Sequence, residues 1–166
     1  MSFSRIQPAA GLEKYINCYW IIEDEEEKPV QQKIIPDGYP EVIFHSGDAY
    51  RIQLYREWQL QEKALIAGQI RKFFFLETTG RSSVFAVKFQ PAAVTHLFGI
   101  EMDGLTDKVI PIRETGNAKL NDFQQSIFST RDHHEMIRAA DKYFLELPIH
   151  CARKKSTTIE PSNNKK

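Results

Sequence analysis

Five histidines and a run of carboxylates are the side chains whose chemistry could reach beyond packing. A mononuclear metal centre needs three or four ligands converging on one point. On a strand, two of them would sit at i and i+2 to share a face. No His-x-His occurs, and His45, His96 and His150 stand alone. His133 and His134 are adjacent, so on a helix they diverge by about 100°. No metal site is expected. The run Glu23-Asp24-Glu25-Glu26-Glu27 offers paired carboxylates for acid/base work. General acid catalysis requires an apolar setting that separates two carboxyl pKa values, and this polar run reads as a solvated loop. Gly-x-Ser-x-Gly, GxGxxG and GxxxxGK[ST] are all missing from the sequence, which removes the commonest nucleophile and phosphate-cradle patterns. The expectation is a protein that is not an enzyme, with no catalytic residue and no cofactor.

The positive signal is aromatic. Phe, Tyr and Trp make up 11% of the chain, and many fall at strand positions. In a small β-barrel they either fill the interior or wall an apolar cavity with few polar groups. Trp20, Phe44, Phe85 and Phe89 are the candidate ligand-pocket residues. Gln69 joins them because it shares a strand face with Leu65 and Ala67. An amide bonded only to backbone is the alternative for Gln69.

These residues depend on short alternating segments. Over Tyr15–Ile22, Ile16, Cys18, Trp20 and Ile22 fall on one face. Pro36-Asp37-Gly38 is turn chemistry leading into a strand at Glu41–His45. Gly47-Asp48 turns that strand back into Tyr50–Tyr55. Ala64–Ile70 reads as a strand interrupted by Gly68, where a bulge or bend is expected. Phe73–Phe75 leads through Thr79-Gly80 to Ser83–Phe89, with Phe85, Val87 and Phe89 on one face and Val84, Ala86 and Lys88 on the other. Six or more strands so closely spaced favour an antiparallel barrel or sandwich over a parallel sheet with helical crossovers.

Helical periodicity takes over at Pro91. A short helix is expected at about 91–98, closed by Gly99, and a second at about 117–129 burying Leu120, Phe123 and Ile127. A third runs from the Asp132/Glu135 capping pair to Pro148. Its apolar seam, Met136, Ile137, Ala140, Tyr143, Phe144 and Leu147, suits either a dimer interface or packing on its own chain.

Length fits one domain of ordinary size, 166 residues with 42% hydrophobic and 27% charged. The net charge is zero, but five cations follow Cys151 against Glu160 alone. Residues 1–151 therefore hold 17 of the 22 basic groups and 21 of the 22 acidic ones. A mildly acidic body argues against strong DNA binding by this part of the chain. No signal-peptide pattern or membrane-span run is present in the sequence, so a cytoplasmic location is expected. Cys18 and Cys151 make no disulfide framework.

Pro8, Leu12, Tyr15-Ile16, Tyr19-Trp20, Pro36-Asp37-Gly38, Glu41-Val42-Ile43-Phe44, Gly68-Gln69, Val87–Pro91 and Leu97-Phe98-Gly99 occur in an order that resembles N-terminal, unknown-function domains of AraC-family transcription regulators, over about residues 8–112. That family tends to carry Pro-Gly where this chain has Pro91-Ala92-Ala93. The resemblance implies a bacterial regulator whose cupin-like antiparallel β-barrel holds a small-molecule effector, followed by about three helices that pair two protomers into a homodimer. DNA would be bound only through helix-turn-helix units that this sequence lacks.

The expected organisation is then a cupin-like barrel at 1–112 with the helix at about 91–98, a helical dimerisation or packing element at 113–150, and a disordered tail or the start of a linker at 151–166. The chain would be either a piece of a longer regulator or a lone sensory domain. Two other readings stay open: a small stand-alone cupin-like enzyme, and a pure dimerisation module with a filled barrel. Cavity volume separates the last from a sensor, because small-molecule sites occupy about 300 Å³ or more.

Overall fold

The computed structural model describes residues 1–148. The segment 151–166, read above as a tail or linker, and the end of the helical element at 149–150 lie outside the described residues. Among the described residues there are ten strands and three α-helices, in the order β1 (Ser2–Ile6), β2 (Ile16–Asp24), β3 (Gln31–Ile34), β4 (Glu41–His45), β5 (Arg51–Gln53), β6 (Gln59–Leu60), β7 (Ala64–Ala67), β8 (Phe74–Glu77), β9 (Ser82–Phe89), α1 (Ala93–Phe98), β10 (Val109–Pro111), α2 (Ala118–Phe128) and α3 (His133–Glu146).

The strands form two antiparallel sheets. The larger has the order β1-β2-β9-β4-β7-β10 and the smaller β3-β8-β5-β6. The mainly β fold with C-terminal helices is thus as expected, but closure into a barrel is not: each sheet pairs only within itself. Local chemistry at the first crossing favours separation. The connection from β3 to β4 contains Pro36 and Pro40, which lack the amide donors a continuous ladder would need, and Gly38 turns it at φ +81°.

The larger sheet has one face against the helices and the other against the smaller sheet. Val42 and Phe44 of β4, and Phe85, Val87 and Phe89 of β9, belong to the helix-side core. Phe44 packs edge-on to Phe123 and Phe128 of α2, and Phe89 to Phe98 and Phe144. A bulge between Ile16 and Cys18 shifts the register of β2. That extra residue splits the expected shared face: Ile16 joins the core with Tyr19, while Trp20 and Ile22 stay together on the other side. Gly68 follows β7, and a Cβ there would overlap the Leu105 carbonyl, so the backbone approach itself demands glycine.

Helix α3 starts as its sequence requires. The Asp132 carboxylate accepts from Glu135 N–H at 2.8 Å, while Glu135 accepts from Arg131 N–H at 2.8 Å, one residue earlier than in a standard capping box. Asp141 then ties the helix to the sheet, accepting from the Tyr19 hydroxyl at 2.8 Å and from Ala9 N–H at 2.9 Å. Burial first, and then the Asp141 carboxylate, push the Tyr19 phenol upward, which keeps it a donor.

Candidate functional site: a cavity between the sheets

Two hydrophobic faces that meet imperfectly leave space, and here they enclose a cavity of about 570 Å³. From the larger sheet it is walled by Trp20 and Ile22 on β2, Ile43 on β4, Leu65 and Ala67 on β7, and Val84 on β9. The smaller sheet contributes Ile34 of β3, Ile52 of β5, and Phe74 and Leu76 of β8. Exposed Met1, Phe3 and Ile35 also line it, so its open side has an apolar rim. An apolar interior with a few convergent polar groups is the usual make-up of a small-molecule site.

The polar groups gather at two ends. Strand β4 sends Glu41, Ile43 and His45 to the cavity side, and four residues of strand separate the outer two by roughly 13 Å. At the Glu41 end, the Trp20 indole N–H donates to Glu41 Oε1 at 3.2 Å. Lys88, opposite Glu41 in the β4–β9 ladder, places Nζ 3.5 Å from the same oxygen and donates to Asp37 Oδ2 at 2.5 Å. Burial raises the Glu41 carboxyl pKa, and Lys88 and the indole oppose that rise without cancelling it. For Asp37 burial is instead outweighed, and the Lys88 ammonium and Tyr39 N–H hold its carboxyl below the ordinary range. Lys88 resists its own burial because Asp37 and Glu41 keep it charged, above the usual lysine value.

At the other end stands His45, only 1% exposed. Its ring packs against Tyr50 at 5.1 Å between centroids. Neither ring nitrogen has a hydrogen-bond partner; the Gln61 side chain is near enough to act on the ring electrostatically but makes no bond of regular geometry with it. Desolvation pushes the imidazole pKa down to about 4, with Gln61 opposing and the Lys63 charge assisting. At neutral pH His45 is an uncharged ring with one donor and one acceptor. Burial raises the Tyr50 phenol instead, so it keeps its proton.

Of the five pocket residues expected from sequence, Trp20 lines the cavity. Phe44, Phe85 and Phe89 are fully buried on the opposite face, under the helices. Gln69 is half-buried beyond the end of β7, where its carbonyl accepts from Asp107 N–H at 3.0 Å. The parity rule was sound, but the largest aromatics mark the helix-covered face. The cavity face is the smaller, mixed set Glu41-x-Ile43-x-His45 and Val84-x-Ala86-x-Lys88. Polar residues recurring at period two in otherwise apolar strands were the available signal.

The seam of α3 is occupied within the chain. Met136, Ala140 and Phe144 are buried, and Ile137, Tyr143 and Leu147 pack on the same core. The Tyr143 hydroxyl donates to the Lys119 carbonyl of α2 at 2.5 Å. His133 lies between Glu23, with Nδ1 3.0 Å from Oε1, and Ser83, with Nε2 3.3 Å from Oγ. The acidic run is peripheral: Glu25 and Glu27 lie 3.7 and 2.8 Å from Arg81 at the surface. Among the described residues no group of three or more His, Cys, Asp or Glu could hold a metal ion, and no helix is long and apolar enough to cross a membrane.

Neither a curated protein nor a solved structure matches this chain. A family model described as a domain of unknown function (DUF6597) matches residues 4–111, which takes in every strand from β2 to β10 and every residue that walls the cavity except Met1 and Phe3. The chain belongs to the DUF6597 family.

Proposed function

We propose that this chain is the effector-sensing domain of an AraC-like bacterial transcription regulator, non-enzymatic and cytoplasmic, with DNA bound by helix-turn-helix units outside residues 1–166. The observation that carries the reading is the cavity. At about 570 Å³ it exceeds the roughly 300 Å³ a small-molecule site needs, which favours a sensor over a dimerisation module with a filled interior. The order and spacing of the Pro36-Asp37-Gly38 and Glu41–Phe44 motifs support the AraC-like assignment.

Strand β4 supplies a route for the signal. Glu41, Ile43 and His45 touch the cavity, while Phe44 between them packs on Phe123 and Phe128 of α2. A ligand that favours one position of β4 would bias the packing of α2 and α3, and through them the DNA-binding half. Homodimer formation belongs to the same proposal. Because the α3 seam is used internally, pairing would draw on exposed helix residues such as Leu145 and Phe128.

Sensing is tested by titrating 1-decanol against Trp20 fluorescence in a Trp58→Phe background. A saturable change with one site per chain is expected; an unchanged spectrum with 1-decanol and with its amine and carboxylate counterparts, up to the solubility limit, would remove the sensing reading. The regulator assignment is tested by the reading frame past codon 166, where two helix-turn-helix units are expected and a stop codon would overturn it.

A further inference from the structure

Resting on that sensing reading, we propose that the cavity takes an elongated organic amine, with its ammonium at Glu41 beside Trp20 and its apolar body between the sheets. The charges at the first end do not balance. Asp37 and Glu41 share one cation, Lys88, whose Nζ lies 2.5 Å from Asp37 and 3.5 Å from Glu41. Glu41 is therefore the less neutralised carboxylate, and it is only one-fifth exposed. A second cation placed there completes the pairing, and the Trp20 indole in the same wall is the aromatic surface cations favour most. An anion would meet two carboxylates instead. Asp24, the other acid in the wall, already pairs with the N-terminal amine at 3.3 Å.

The far end offers no second anchor. His45 belongs to its wall, but both ring nitrogens are buried away from the open space. The apolar stretch between the ends, with Ile43 and Leu65 in one wall and Phe74 and Leu76 in the other, asks for a hydrocarbon or aromatic body.

A head-group series on one tail tests this: decylamine, 1-decanol and sodium decanoate below their micellar concentrations, followed by Trp20 fluorescence and by calorimetry. Decylamine should bind about tenfold tighter than 1-decanol, and decanoate weaker than either. Glu41→Gln should erase the preference of amine over alcohol while leaving 1-decanol affinity within about twofold. If Glu41→Gln fails to fold, the wild-type series decides alone. Decanoate binding as tightly as decylamine would overturn the inference and leave the sensing reading standing. Binding by none of the three compounds would remove both.

Discussion

Replacing Phe144 by alanine tests whether α3 belongs to its own chain. Phe144 is 3% exposed and packs against Phe89, Phe98, Phe123 and Tyr143 with ring centroids 5.7, 6.2, 4.8 and 5.5 Å away. Emptying a site of that kind removes the transfer free energy of the ring and leaves a cavity, together about 3–5 kcal/mol. With four aromatic neighbours the upper half of that range is expected, a large fraction of a typical domain's total of about 5–15 kcal/mol. Urea denaturation followed by far-UV circular dichroism reads the change. Because every contact just named is within one chain, the loss should be the same at about 5 and about 200 µM protein, since only an oligomer's stability depends on concentration by mass action. A loss under about 1 kcal/mol, or one that shrinks as protein concentration rises, would refute the intramolecular placement of the seam.

Four further outcomes follow from the same geometry. Gly68→Ala should destabilise by about 3 kcal/mol, because its Cβ overlaps the rigid Leu105 backbone rather than a side chain, and a urea titration checks it. Asp132→Ala should lower stability by about 1 kcal/mol through loss of the α3 N-cap, measured by thermal melting. Tyr19→Phe should cost about 1.5–3 kcal/mol, the value of a hydrogen bond to a charged group. His45 should make the protein acid-sensitive in a definite window: its folded pKa, about 4, lies below the ordinary 6.5, so the unfolded state binds the extra proton. Stability should then fall as pH drops from about 6.5 to 4 and level off below. Between pH 7 and 4.5 the wild type should lose on the order of 2 kcal/mol more than His45→Asn; equal losses would contradict the buried neutral ring.

Much of this architecture can be read from the residue pattern, and the failures have physical causes. All three helices fall where periodicity and capping put them, and α3 is bounded by Asp132 and the approach to Pro148. The alternation in β9 is also as expected. Strand β1 escaped detection because an exposed edge strand carries no apolar alternation of its own; it exists by pairing with β2. β10 is a three-residue edge strand ending in Pro111, too short to show a period. In β2 the alternation was visible but the bulge was not, since one inserted residue changes no local propensity and flips every side chain beyond it. The cavity lies beyond sequence reasoning for a further reason: it is a property of two facing sheets, set by how far apart they pack. His45 illustrates the consequence. Alone in the sequence it promises no metal chemistry, and only the packed structure shows it sealed against Tyr50 with both ring nitrogens unbonded.

The claim on which the account turns is that one face of the larger sheet is filled and the other is not. Val42 and Ile43 are consecutive on β4, and the first is buried in the helix-side core while the second lines the cavity. The decisive measurement is the unfolding free energy of Val42→Trp beside that of Ile43→Trp. Overpacking a filled core costs about 1–3 kcal/mol and can exceed it, so Val42→Trp should be severely destabilised, whereas Ile43→Trp should stay within about 1 kcal/mol of wild type. Equal destabilisation by the two substitutions would contradict the open space between the sheets.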